Sequence, residues 1–343
     1  MFENFHGNSS IAQVLFGMAG QGRIPQTILL DGAQGVGKAT LARRFAAALL
    51  GDAGKIEQDD LSLEQNIEIV AEREKWPSDK RNDDPLLFAT HPDFITFAPD
   101  GPLRQITIEQ MRLLKELAQF KPLHGSRRVF LIDHIDRANE QAANSLLKTL
   151  EEPPEHLVLV LTAENPYNLL PTIRSRAVFF HLGPLSHDEM QAFARERGLA
   201  DAERRVALSA GSPGLAIALD LDVYAERRTA MLRLLEAAAG RAPFAEWVKH
   251  SEAMSNRKQE KLDFLLTILY VLLEDVLLAA EETGEIRNAD IQAEIKTLAS
   301  QVSFEWIRAA VGKIDELGEL LRRNIQKNIA LDALVVELRH LAA

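Results

Sequence analysis

With 343 residues, 46% of them hydrophobic and 26% charged, the chain has the length of two or three domains and the balance of an ordinary globular protein. A net charge of −11 argues against a free-standing nucleic-acid binder, so DNA contact would fall to a local patch or to partner subunits. The absence of cysteine excludes disulfides and thiolate metal sites; with an N-terminus, Met1-Phe2-Glu3-Asn4-Phe5, that lacks a signal-peptide pattern, it implies a cytoplasmic protein.

The first 180 residues alternate strand-like and helix-like segments, which predicts an α/β domain with a largely parallel sheet. Thr27-Ile28-Leu29-Leu30 is a short apolar run ending in Asp31-Gly32, and Thr40 to Leu50 is an alanine- and leucine-rich helical stretch. Between them, Gly32-Ala33-Gln34-Gly35-Val36-Gly37-Lys38-Ala39-Thr40 has the form of a phosphate-binding loop. Gly32, Gly35 and Gly37 let backbone N–H groups curl around phosphate oxygens, Lys38 reaches the outer phosphates, and the helix start adds its positive dipole end. One position departs from the pattern. Ala39 stands where a hydroxyl should hold Mg²⁺, and Thr40 is rotated by about 100° from that place, so it caps or packs instead. The loop is therefore expected to admit ATP or ADP with weakened magnesium support.

Residues 51–84 are rich in Asp, Glu, Lys and Gln, and predict an exposed, partly helical insertion that reaches to about residue 90. Val129-Phe130-Leu131-Ile132 then forms a second strand ending in Asp133, the arrangement that sets a carboxylate beside nucleotide-bound Mg²⁺. His134 follows it, and Asp136 reads as a helix-start residue before Ala138. Asn139 to Glu152 is helical, with Ala142, Leu146, Leu147 and Leu150 near one face and Pro153-Pro154 as its stop. Leu157 to Leu161 and Val178 to Phe180 are further strands.

After Pro184 the strands cease. Ser186 with Glu189 is a capping signal, and short helices are expected near Asp201 to Ala210 and Pro213 to Leu219, with Gly211 between them. From Val223 onward all is helical. The run Leu262 to Leu278 is broken by Asp263, Thr267, Glu274 and Asp275, so it reads as a buried helix rather than a membrane span. Leu331, Leu334, Val335, Leu338 and Leu341 mark one buried face of the last helix.

Several stretches together resemble the clamp-loader subunits of bacterial DNA polymerase III, of the delta-prime type, which are AAA+ proteins. They are Asn139 to Pro154, Leu169-Leu170-Pro171-Thr172-Ile173-Arg174-Ser175-Arg176, Arg23-Ile24-Pro25, His91-Pro92-Asp93-Phe94 and Arg127 to Asp133, with the phosphate loop in the same order. The resemblance covers residues 1–220 well; Asn324-Ile325-Gln326-Lys327-Asn328 extends it less specifically into the tail. It implies a P-loop AAA+ domain over 1–182, a small helical lid over 183–221 and an all-α collar over 222–343.

The resemblance also implies roles. In Ser175-Arg176-Ala177 the arginine matches the finger that enters a neighbouring subunit's ATP site, with Arg174 as the fallback, or is a surface or salt-bridging arginine. Thr162 matches the polar sensor of the γ-phosphate, or is an ordinary strand-end threonine. His134 replaces the glutamate that polarises water, and Gly211-Ser212-Pro213-Gly214-Leu215-Ala216 lacks the lid arginine. The zinc module of many relatives needs four cysteines, so no zinc or other metal site is expected; His91 with Asp93 reads as a turn feature. The favoured reading is a subunit with a degenerate ATPase site in a hetero-oligomeric ring with motor ATPase and delta-type subunits. It would act on a sliding clamp, reach primed DNA mainly through the complex and need no membrane. A hydrolysis-competent AAA+ ATPase is the main alternative, and a metabolic P-loop enzyme a third. Arg127-Arg128 is a candidate phosphate contact or a solvated edge.

Overall fold

The computed structural model describes residues 5–255, 262–320 and 326–342; Met1 to Asn4 and the Asn324-Ile325 part of the tail motif lie outside them. The six strands are β1 (Thr27–Asp31), β2 (Leu87–Phe88), β3 (Phe94–Phe97), β4 (Arg128–Ile132), β5 (Leu157–Ala163) and β6 (Val178–His181). They form one sheet in the order β2-β3-β4-β5-β1-β6, in which only β2 runs antiparallel. The expected α/β class with a mainly parallel sheet is what the chain adopts. β2 and β3 are additions to the sequence reading: two and four residues long, they are too short to display a period.

Parallel strands need both faces covered, which is why they read as unbroken apolar runs. Ile28, Leu30, Val129, Leu131, Val158 and Val160 join the core under the helix Lys38–Leu50. Leu29, Phe130, Ile132, Leu159 and Leu161 join the opposite core, with Leu114 of the helix Ile108–Ala118 and Leu146 of Glu140–Glu151. The register pairs Leu30 with Thr162, Asp31 with His181 and Ile132 with Leu161. The polar ends of β1, β4, β5 and β6 therefore meet along one edge of the sheet, where open α/β folds place their ligands.

The segment 51–84 is largely exposed and partly helical, as expected, but it is held more firmly than its composition suggested. It forms the helices Ala53–Glu57, Glu64–Arg73 and Ser78–Asp83, and it is anchored at both ends. Ile56 is fully buried in the core under Lys38–Leu50, and Arg43 of that helix pairs with Glu57 and Asp60. Arg73 donates to Asp100 at 3.1 and 2.7 Å and also pairs with Asp84, while Arg73 and Lys80 both lie over the Trp76 ring. A few charges that looked solvated in the sequence, Glu57, Asp60 and Arg73, are engaged with partners outside the segment.

The chain divides into two compact units, Met1–Leu199 with Ala210–Leu215, and Ala200–Ser209 with Ala216–Ala343. In the first, Ser186 and Glu189 form the capping box that starts the helix His187–Glu196. The second is helical. Met231, Leu235, Trp247, Leu265, Leu269, Leu272, Leu331 and Leu338 are among the residues of its core. Leu331, Leu334, Val335 and Leu338 are buried as expected, but Leu341 is exposed, because the helix Lys327–Ala342 has reached its last turn there. Asp275 is fully buried in the helix Leu262–Ala280. It is stabilised by accepting from the Arg287 and Asn288 backbone N–H groups and the Asn288 amide. Among the described residues no helix is long and apolar enough to cross a membrane.

The Arg73–Asp100 pair is almost wholly buried, so Arg73→Ala leaves an uncompensated carboxylate. It is expected to cost about 3–5 kcal/mol, read by chemical denaturation. A loss below about 1 kcal/mol, the range of exposed pairs, would show that the insertion merely rests on the surface.

Candidate functional site

β1 delivers Asp31 to the sheet edge, and the chain then turns through Gly32, Gly35 and Gly37, with φ of 144°, 75° and 100°. These left-handed conformations require glycine and give the loop its cradle shape. Crowding adds a second constraint at Gly35. A Cβ there would lie 2.4 Å from Ser212 Oγ and 3.0 Å from the Leu215 nitrogen. The turn at Ser212–Leu215 is laid directly on the loop: Ser212 Oγ donates to the Gln34 carbonyl at 2.8 Å, and the Gly214 N–H to the Gly35 carbonyl at 2.9 Å. Gly214 itself has no room for a side chain, since its Cβ would meet the Gly35 backbone at 2.8 Å. The contact between the turn and the loop is one that a glycine alone permits.

Lys38 opens the helix Lys38–Leu50 and is 6% exposed. Its ammonium donates to the carbonyls of Gly32 at 2.7 Å and Ala33 at 2.9 Å. Burial lowers its pKa from the usual lysine value, against the upward pull of Glu164, Asp133, Asp136 and Asp31. The lysine that would reach outer phosphates is bound to its own loop. Ala39 brings no hydroxyl to this point, and Thr40 sits half-buried one residue further along the helix.

At the end of β4, Asp133 is 7% exposed and accepts a hydrogen bond from Thr162 Oγ at 2.5 Å. Thr162 is fully buried and accepts in turn from the His134 N–H at 2.8 Å. Its hydroxyl therefore ties β5 to the β4 turn, where His134 adopts a left-handed conformation with φ of 55°. The imidazole lies with Nδ1 3.4 Å from Glu164 and Nε2 3.9 Å from Asp133. Glu164, two residues past Thr162, is the carboxylate that sequence reading overlooked; Arg137 also approaches it, at 3.6 Å. Asp136 is not a helix cap. Its carboxylate accepts from the Glu164 and Asn165 N–H groups and fixes the loop after β5.

The loop and the acidic strand end are brought together around Lys38; Arg176 makes its bonds elsewhere. It follows the short helix Pro171–Arg174, is exposed, and donates to the Thr172 carbonyl at 2.8 Å, Ser175 Oγ at 3.3 Å and Glu151 at 2.8 Å. Arg174 instead stacks over Tyr167, 5.3 Å from the ring centroid, beside a cavity of about 810 Å³ bordered by Asp31, Glu164, Phe179 and His181.

The Arg127-Arg128 pair splits. Arg127 is exposed, but Arg128 is buried, donates to the Leu117 and Pro92 carbonyls, and faces Asp93. Neither reading of Arg128, as a phosphate contact or as a solvated edge, survives; it ties a strand end to its neighbours. Asp93 accepts from the Leu123 and His124 N–H groups, and His91 Nδ1 from the Asp93 N–H. Among the described residues no cluster of three or more His, Asp or Glu could hold a metal ion.

Comparison with known proteins gives a consistent result. The family described as "DNA polymerase III, delta subunit" matches residues 7–186. The delta-prime subunit of DNA polymerase III from Escherichia coli is 28% identical over 73% of this chain and 75% of its own length. That of Pseudomonas aeruginosa is 29% identical over 93% of both chains. A solved DNA polymerase III gamma subunit-related protein from Thermotoga maritima overlaps 97% of this chain and 99% of its own, with 17% identity and a TM-score of 0.46.

The Thr162 hydroxyl bridges two strand ends, so Thr162→Val leaves the buried Asp133 carboxylate and the His134 N–H each short of a partner. A loss of about 1–3 kcal/mol in denaturation is expected. Unchanged stability would mean that the hydroxyl is free for a ligand.

Proposed function

The chain belongs to the DNA polymerase III delta-subunit family, and from that premise we propose that it is a delta-prime-type, non-motor member of a clamp-loading ring. In this reading it joins ATP-hydrolysing and delta-type subunits, helps to open a sliding clamp, and helps to place it on primed DNA. Its acidity fits a protein that reaches DNA through the assembly rather than alone.

The observation that carries the proposal is a contrast between two cations. Lys38 is buried and bound to the carbonyls of its own loop; Arg176 is exposed just past the short helix Pro171–Arg174. A Mg-bound nucleotide fits this cradle poorly. Ala39 offers no ligand to the metal, so magnesium adds little to the binding of the phosphates. Nor does Glu164 replace the missing base, since His134 and Arg137 border its carboxylate. Arg176 is oriented by its own chain but uncovered, as a residue serving a neighbour's site must be. There it would offset charge developing on a γ-phosphoryl group.

The purified chain is expected to hydrolyse no ATP, with or without Lys38→Ala. Reconstituted with its motor subunits, Arg176→Ala should leave assembly intact and remove the contribution of one site to turnover, a finger being worth about 10³–10⁵ at that site. Turnover by the isolated chain that disappears in Lys38→Ala would establish the hydrolysis-competent alternative. Unchanged turnover of the Arg176→Ala complex would remove the finger role.

A further inference from the structure

We infer that Glu151 is a positioning residue for Arg176, holding its guanidinium in the reach that a neighbouring nucleotide site requires. The inference rests on the finger role proposed above. Arg176 Nη2 donates to Glu151 Oε1 at 2.8 Å, and Nη1 to the Thr172 carbonyl at 2.8 Å. Two points on separate elements thus fix the plane of the guanidinium. A free arginine side chain carries considerable rotamer entropy, which these contacts remove before any partner arrives.

Both anchors are rigid. Glu151 ends the helix Glu140–Glu151, whose Leu146 and Leu150 are buried, and Thr172 belongs to the short helix whose Ile173 is buried in the same core. The placing of Glu151 also calls for an explanation. The last turn of a helix is the negative end of its dipole, where a carboxylate is unfavourable unless a cation sits against it. Arg176 is that cation. Glu151 contributes nothing to the buried face of its helix, so its contact with Arg176 is the interaction that its position serves.

An exposed pair of this kind is worth up to about 1 kcal/mol, which sets the scale of the effect at about two- to fivefold. The test measures ATP turnover of the reconstituted complex carrying Glu151→Ala, Glu151→Gln, Arg176→Ala or the double variant Glu151→Ala/Arg176→Ala, with gel filtration to confirm assembly. Glu151→Ala should lower turnover at the site served by Arg176 about two- to fivefold. Glu151→Gln should restore most of it, because the amide oxygen still accepts a hydrogen bond. The double variant should match Arg176→Ala alone. Glu151→Lys, which repels the guanidinium, should approach Arg176→Ala and decides the matter where the alanine variant assembles poorly. Wild-type turnover in Glu151→Ala or Glu151→Lys overturns the inference, as does an additive loss in the double variant. Arg176→Ala without effect overturns the finger role beneath it, which separates the two failures.

Discussion

The Lys38 ammonium is the constraint around which the sheet edge is organised. A buried cation must be hydrogen-bonded or it destabilises the fold. Here the Gly32 and Ala33 carbonyls receive it, and four carboxylates supply a favourable field. Those carbonyls can turn inward only because Gly32, Gly35 and Gly37 allow the loop its left-handed turns. The result is a loop with the backbone form of a phosphate cradle, with the Lys38 ammonium held against its carbonyls.

The Ser212–Leu215 turn lies on this loop by backbone contact, with Gly214 against Gly35 and the Ser212 hydroxyl on Gln34. Two glycines facing each other leave no space for a side chain on either side.

Much of this was legible in the sequence because it is local. The strand cores at Leu29 and Phe130, the loop glycines, the Ser186–Glu189 cap and the Leu331–Leu338 stripe each follow from spacing and residue type within one element. What escaped is tertiary. Arg73 finds Asp100 27 residues away, Arg128 turns inward to carbonyls on two other segments, and Asp136 reaches across to the loop after β5. Charge alone suggested exposure for the first two. Glu164 and Glu151 were passed over for the same reason: nothing in their neighbours along the chain points to His134 or to Arg176. β2 and β3 were missed because two and four residues carry no period.

Nucleotide-binding calorimetry on the isolated chain, with and without Mg²⁺, addresses the altered cradle most directly. The account predicts that ATP or ADP binds no more tightly with Mg²⁺ than without it, because Ala39 gives the metal no ligand. Saturable binding that tightens when Mg²⁺ is added would contradict it, for it would mean that another side chain serves the metal.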